Sequence, residues 1–188
     1  MRKLKLQMQQ TVNGYVAGPN GELDWMTWNW SDDIKQFVTE LTDSIDTILL
    51  GRNMTDGFIG HWDAAAKNPE DPSQEFAKKM VNAHKVVFTK TLERSEWENT
   101  VLAKGDIADE VNKLKAQDGK DIIVYGGAGF VSSLIKERLI DELYLFVNPA
   151  AIAVGLTIFG EVGGQLNLKL NESKTFDCGI VLLNYSPA

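Results

Sequence analysis

A chain of 188 residues, 44% hydrophobic and 24% charged, is long enough to bury a substantial core within one domain. Its 19 Lys and Arg are scattered among 26 Asp and Glu, and the net charge of −7 excludes the basic surface that nucleic acid requires. Cys178 is the only cysteine and His61 and His84 the only histidines, so no internal disulfide, paired-cysteine zinc site or other metal cluster is expected. The segment from Met1 to Leu6 lacks a signal-peptide core and no apolar run approaches the eighteen or so residues of a membrane span, so the expectation is a cytoplasmic protein with no membrane partner.

Leu4, Leu6 and Met8 alternate with Lys3, Lys5, Gln7 and Gln9, the period-two pattern of a strand with one covered face. A glycine-rich loop, residues 13–21, follows with Asn-Gly turn signals at both ends, after which Trp25, Trp28 and Trp30 crowd together. Clustered aromatics belong to a core or an interface more often than to a ligand site. Ser31 or Asp32 is placed to cap a helix whose apolar residues Ile34, Phe37, Val38 and Leu41 fall at i, i+3, i+4 and i+7. Thr47 to Leu50 forms the next strand, ending at Gly51-Arg52, where a short helical segment opens. Asp71-Pro72-Ser73-Gln74 has the form of a capping box with proline at the first helical position, continued by Phe76, Ala77, Met80 and Val81. Val86 to Phe88 is a strand closed by Thr89-Lys90-Thr91, and Asp106 caps a helix with Ile107, Val111 and Leu114 on one face, stopped at Gly119.

The apolar run Ile122-Ile123-Val124-Tyr125 then breaks into Gly126-Gly127-Ala128-Gly129 and resumes at Phe130-Val131 with helical spacing. Such a strand-turn-helix leaves free N–H groups at the positive end of the helix dipole, with no side chains to keep a pyrophosphate away. The other reading is that the glycines only let the helix pack closely on its sheet. Beyond them come Leu143 to Val147, the alternating Leu166, Leu168 and Leu170, and Ile180 to Leu183. The first half has the grammar of parallel crossovers, whereas the last forty residues lack a helical period and read as an antiparallel edge. The expected fold class is α/β, a mixed and mostly parallel sheet flanked by helices, in a single domain spanning residues 1–188.

Several motifs in order along the chain carry a family likeness. Gly14, Asp46-x-x-Leu49-Leu50-Gly51-Arg52, Lys85-Val86-Val87-Phe88-Thr89-x-Thr91-Leu92, Tyr125-Gly126-Gly127, Leu139-Ile140-Asp141-Glu142-Leu143, Asn148-Pro149 and Cys178-Gly179-Ile180-Val181-Leu182 resemble those of dihydrofolate-reductase-like proteins. The nearer likeness is to the RibD C-terminal domain, the reductase half of bifunctional riboflavin-biosynthesis enzymes. The resemblance implies the dihydrofolate reductase fold, NADPH as hydride donor, a homodimer, and a small pterin- or pyrimidine-like substrate, as in 5-amino-6-(5-phosphoribosylamino)uracil reductase. The deaminase half of the bifunctional enzymes is not expected in these 188 residues, because its zinc motif needs cysteines they do not have.

Residue by residue, the resemblance places Gly51 and Arg52 at the cofactor's phosphates, Thr89 and Lys90 at the adenosine ribose and its 2′-phosphate, and Gly126, Gly127, Ala128 and Gly129 in the cradle, where the Gly126-Gly127 bond of related enzymes can be cis. A surface salt bridge for Arg52 and an ordinary polar strand end for Thr89-Lys90 are the competing readings. Asp33 stands five residues after Trp28, the spacing at which dihydrofolate reductases carry the carboxylate that orients the pterin. An apolar cleft would raise its pKa by desolvation, whereas a first-turn Asp also favours the helix dipole with no catalytic role. Departures from the family pattern are Phe146 in place of a threonine, Ala153-Val154-Gly155 in place of glycine-x-glycine, and Met54 in place of a threonine. Two functions follow: an NADPH-dependent reductase, or a nucleotide-binding or sensing module of the same fold without turnover.

Overall fold

Apolar strands buried on both faces alternate with amphipathic helices, and this alternation builds a parallel sheet with its crossovers on both sides. The computed structural model describes residues 1–188, in the order β1 (Leu4–Thr11), α1 (Asp32–Asp43), β2 (Ile45–Gly51), α2 (Arg52–Lys67), α3 (Gln74–Asn82), β3 (His84–Phe88), β4 (Thr100–Ala103), α4 (Ile107–Lys115), β5 (Asp121–Val124), α5 (Ala128–Lys136), β6 (Glu142–Asn148), β7 (Leu168–Thr175) and β8 (Val181–Pro187). They form one eight-stranded sheet in the order β4-β3-β2-β5-β1-β6-β8-β7. β1 to β6 are mutually parallel, while β8 runs antiparallel to both β6 and β7. The expected mixed, mostly parallel sheet with an antiparallel C-terminal edge is the fold observed.

Register decides which residues share a face. Leu4, Leu6 and Met8 of β1 join Ile122 and Val124 of β5 and Leu143 and Leu145 of β6 in a core covered by Val111 and Leu114 of α4 and by Val131, Leu134 and Ile135 of α5. On the other face, Leu41 of α1 and Met80 of α3 pack on Ile48, Leu50, Val87 and Ile123, and Ile34 and Val38 of α1 pack on Phe146 and Leu182. Gln7 and Gln9 lie on this second face, beside Tyr144 and Phe146 in register.

Two local expectations are corrected, and one strand is added. The Asp71-x-x-Gln74 motif is not a capping box: Asp71 Oδ1 accepts the Ser73 N–H at 2.8 Å in an Asx turn, and α3 begins only at Gln74. The helix opened by Arg52 is not short but runs sixteen residues to Lys67, held down by Phe58, Ile59 and Trp62 against the core despite Gly57 and Gly60 in its interior. β4, four residues at the sheet edge, carries too little pattern to be read from sequence. Asp106 caps α4 as expected, accepting from the N–H groups of Ala108 and Asp109 at 2.9 and 3.2 Å.

Candidate functional site

Six parallel strands end on one edge, at Thr11, Gly51, Phe88, Ala103, Val124 and Asn148, and open α/β sheets bind ligands beyond this edge. There a cleft of about 460 Å³ lies over the ends of β3 and β4, walled by Arg52 and Asn53 of α2, Thr89, Lys90 and Thr91 after β3, Gly105 and Asp106 before α4, and Phe130 and Ser133 of α5. Arg52, Thr89 and Lys90, dispersed over the sequence, thus meet in one cleft. Asp106 shares it, and because its carboxylate is already turned to the α4 N–H groups, the amine and guanidinium are the groups left for an anion.

Each wall residue is held in place. The Arg52 guanidinium pairs with Asp56 one turn on at 2.8 Å and lies 5.8 Å from the Trp97 ring centroid, so the salt bridge and the cleft position coexist. The Thr89 hydroxyl accepts the N–H groups of Thr91 and Leu92, both at 3.1 Å, shaping the turn after β3. Lys90 is exposed and its Nζ stands 3.4 Å from the carbonyl oxygens of both Lys104 and Gly105, so the amine reaches across the cleft between the loops after β3 and β4.

Close packing of α5 on the sheet depends on a glycine outside the turn, at the end of β2. Gly51 is buried where a Cβ would come within 2.9 Å of Phe130 Cβ, so its missing side chain lets α5 pack on β2. Gly126 has φ +148° and faces Met54 Sδ, 3.2 Å from where its Cβ would stand, and its bond to Gly127 is cis. Gly127, at the N-cap of α5, and Gly129 have nothing within 4 Å of an added Cβ. Val131 N–H bonds the Gly127 carbonyl at 3.0 Å, and the N–H groups of Ala128, Gly129 and Phe130 before it have no partner. Met54 packs against this turn.

The substrate side departs from expectation. Asp33 is not raised toward the range of a general acid. The Ser31 hydroxyl donates to its carboxylate and outweighs partial desolvation, and the N–H groups of Asp177 (3.1 Å) and Ile34 (2.8 Å) add to it, so its pKa falls below the ordinary value. Ser31 Oγ in turn accepts the Cys178 N–H at 3.1 Å. The pair ties the start of α1 to the turn between β7 and β8. Phe146 is fully buried, stacked on Phe176 with centroids 6.1 Å apart and edge-on to Phe37, so its position is part of an aromatic core. Gly155 accepts no side chain because Ala17 O would lie 2.3 Å from its Cβ, where the loops after β1 and β6 meet. Of the three tryptophans Trp28 is largely exposed, while Trp25 and Trp30 are half-buried.

One feature of this end carries no recognisable motif. Thr27 N–H donates to Asn148 Oδ1 at 2.9 Å and Asn148 Nδ2 to Gln9 Oε1 at 2.7 Å, linking the loop after β1 to the last turns of β6 and β1. The only trace of it in the sequence is two glutamines on the polar face of β1.

Residues 2–182 match the model of the RibD C-terminal domain. The uncharacterized protein YyaP of Bacillus subtilis strain 168 is 35% identical over 187 residues, covering 98% of this chain and 94% of its own. Among solved structures, a protein from Shewanella sp. PV-4 named for riboflavin biosynthesis superposes with a TM-score of 0.74 at 22% identity, over 100% of this chain and 99% of that one. A diaminohydroxyphosphoribosylaminopyrimidine deaminase/5-amino-6-(5-phosphoribosylamino)uracil reductase from Thermotoga maritima superposes with a TM-score of 0.70 at 18% identity, and this chain spans 57% of its length.

Proposed function

The chain belongs to the RibD C-terminal domain family, and from that premise we propose that it is a cytoplasmic NADPH-dependent oxidoreductase that delivers hydride to a small pyrimidine- or pterin-like heterocycle. The observation that carries this reading is the cleft beyond β3 and β4, where Arg52, Thr89 and Lys90 converge with Phe130 and Ser133 of α5; the glycine turn that opens α5 does not line it, and at Gly127 and Gly129 of that turn the space a Cβ would take is open. Lys90 and Thr89 would take the adenosine end, with the amine favouring a 2′-phosphate over a bare ribose. Arg52, with the free N–H groups of Ala128 and Gly129, would hold the pyrophosphate, the helix dipole favouring the anion. When bound, the cofactor supplies the hydride. The protein's part is to orient it against the substrate and to keep water away.

Asp33 enters this mechanism as an ionised anchor rather than a proton store, because its hydrogen bonds stabilise the charged form. That engagement also favours a second reading, a nucleotide-binding module without turnover. Titration with NADPH and NADH, followed by nicotinamide fluorescence, tests the shared first step: the phosphorylated cofactor is expected to bind more tightly, and equal or absent binding overturns the reductase reading. Oxidation of bound NADPH on adding oxo-pyrimidines then separates an enzyme from a binding module.

A further inference from the structure

Near the ends of β1 and β6 the hydrogen bonding leaves a specific remainder. A backbone N–H only donates, so Thr27 fixes Asn148 with Oδ1 toward itself. Asn148 Nδ2 is thereby turned to Gln9 Oε1, and to Phe146 O at 3.2 Å. The Gln9 carboxamide is thereby oriented: its oxygen accepts from Asn148, and its Nε2 faces away from that bond. That nitrogen is shielded from water and has no partner, and neither has Gln7 Oε1, two residues earlier on the same face, nor Trp25 Nε1, two residues before Thr27 in the covering loop. Gln10 Oε1 is also unpaired but lies on the opposite face of β1. A buried polar atom without a partner is destabilising, and a native site tolerates it where a ligand completes the bond.

Gln9 Nε2 and Gln7 Oε1 put a donor and an acceptor on one face of β1, and Trp25 Nε1 is a further free donor in the loop that follows. Their complement is a carbonyl oxygen flanked by an N–H, the lactam edge of an oxo-pyrimidine or oxo-pterin ring. Gln9 is only partly buried, so its nitrogen is one side-chain adjustment from solvent, whereas Gln7 is 8% exposed and fixed deeper. We infer that Gln9 Nε2 and Gln7 Oε1 read the lactam edge of the substrate, with Gln9 held in its donating sense by Asn148 and Thr27. This rests on the reductase reading for the identity of the site, and names the ring edge that the site selects.

The test uses the intact chain and two probes measured calorimetrically with and without saturating NADP⁺: 5,6-diaminouracil, which has lactam edges, and 2,4,5,6-tetraaminopyrimidine, which has none. The wild type is expected to prefer diaminouracil by about tenfold or more, as sites built around a hydrogen bond do. Gln9→Met should lose about that factor for diaminouracil at unchanged NADPH affinity. Gln9→Glu keeps the acceptor for Asn148 but offers no donor to the ligand, so it should abolish or invert the preference, a result that a merely structural role does not produce. Equal binding of the two probes, no binding of either, or variants that alter only the melting temperature, as expected if a water bridges the two amides, would overturn the inference. Loss of NADPH binding with the probe preference intact would sink the reductase reading instead.

Discussion

Lys90 and Arg52 divide the cofactor's charge between them in the proposed complex, yet they are held differently. Arg52 is braced by Asp56 and Trp97, whereas Lys90 has only two long contacts to carbonyl oxygens. An amine so loosely engaged is free to turn to a phosphate. Lys90→Ala is therefore expected to weaken NADPH by about 1–2 kcal/mol, the scale of a charge-assisted hydrogen bond, while leaving NADH nearly unchanged. Parallel titrations with the two cofactors check this, and equal losses would remove Lys90 from the 2′-phosphate. Asp33 makes a prediction of the opposite kind. Its folded-state pKa lies below the ordinary value near 3.9, so the stability it lends is complete above that pH and is lost as pH falls through the lower folded value. Acid unfolding of Asp33→Asn should accordingly show a shallower decline at low pH than the wild type, and an unchanged profile would detach the carboxylate from the turn at Asp177.

At the scale of elements, α5 depends on glycines at two places, Gly127 in the turn that opens it and Gly51 at the end of β2, and one substitution each separates their roles. Gly127→Val would project a branched side chain into space that is open in the protein alone, so the fold should survive while NADPH binding is lost; normal affinity in a folded variant would dismiss the cradle. Gly51→Ala brings a methyl to within 2.9 Å of Phe130 Cβ, and overpacking of this kind costs about 1–3 kcal/mol, to be read as a lower melting temperature. Strands β1, β2, β5 and β6 and the capped helix α4 were legible in the sequence because each pattern is local: alternation, an apolar run, or an Asp ahead of a periodic face. The partners of the site residues were not. Lys85 heads one of the family motifs, yet its buried amine donates to the carbonyl oxygens of Val81 and Ala83 at 2.7 and 2.8 Å and closes α3. Asp33 has the right spacing from Trp28, but its pKa is set by Ser31 and by a turn 144 residues away. The relay from Thr27 through Asn148 to Gln9 joins three segments that only the closed sheet brings together.

The whole molecule distributes its helices unevenly. α1 covers Leu182 of β8 on one side of the sheet, but on the other side Val181, Leu183 and Tyr185 of β8 remain partly exposed and Leu170 of β7 is 50% exposed. β7 is also the edge of the sheet and is exposed over nearly its whole length. Apolar residues on an edge pair of strands invite a covering partner, and a second copy of the chain pairing the same patch about a twofold axis is the simplest closure. Lys169, Glu172 and Lys174 of β7 are in register with Ser186, Asn184 and Leu182, on the face opposite the Leu170 patch, and these charges guard the strand against open-ended addition. We therefore propose a homodimer formed through β7 and β8. Sedimentation at micromolar concentration should give twice the chain mass. Leu170→Lys, which replaces a half-exposed side chain and leaves the buried core untouched, should shift the protein to monomer at nearly unchanged melting temperature. A wild type that sediments as a monomer would overturn the dimer, and a Leu170→Lys protein that remains dimeric would move the interface away from this face.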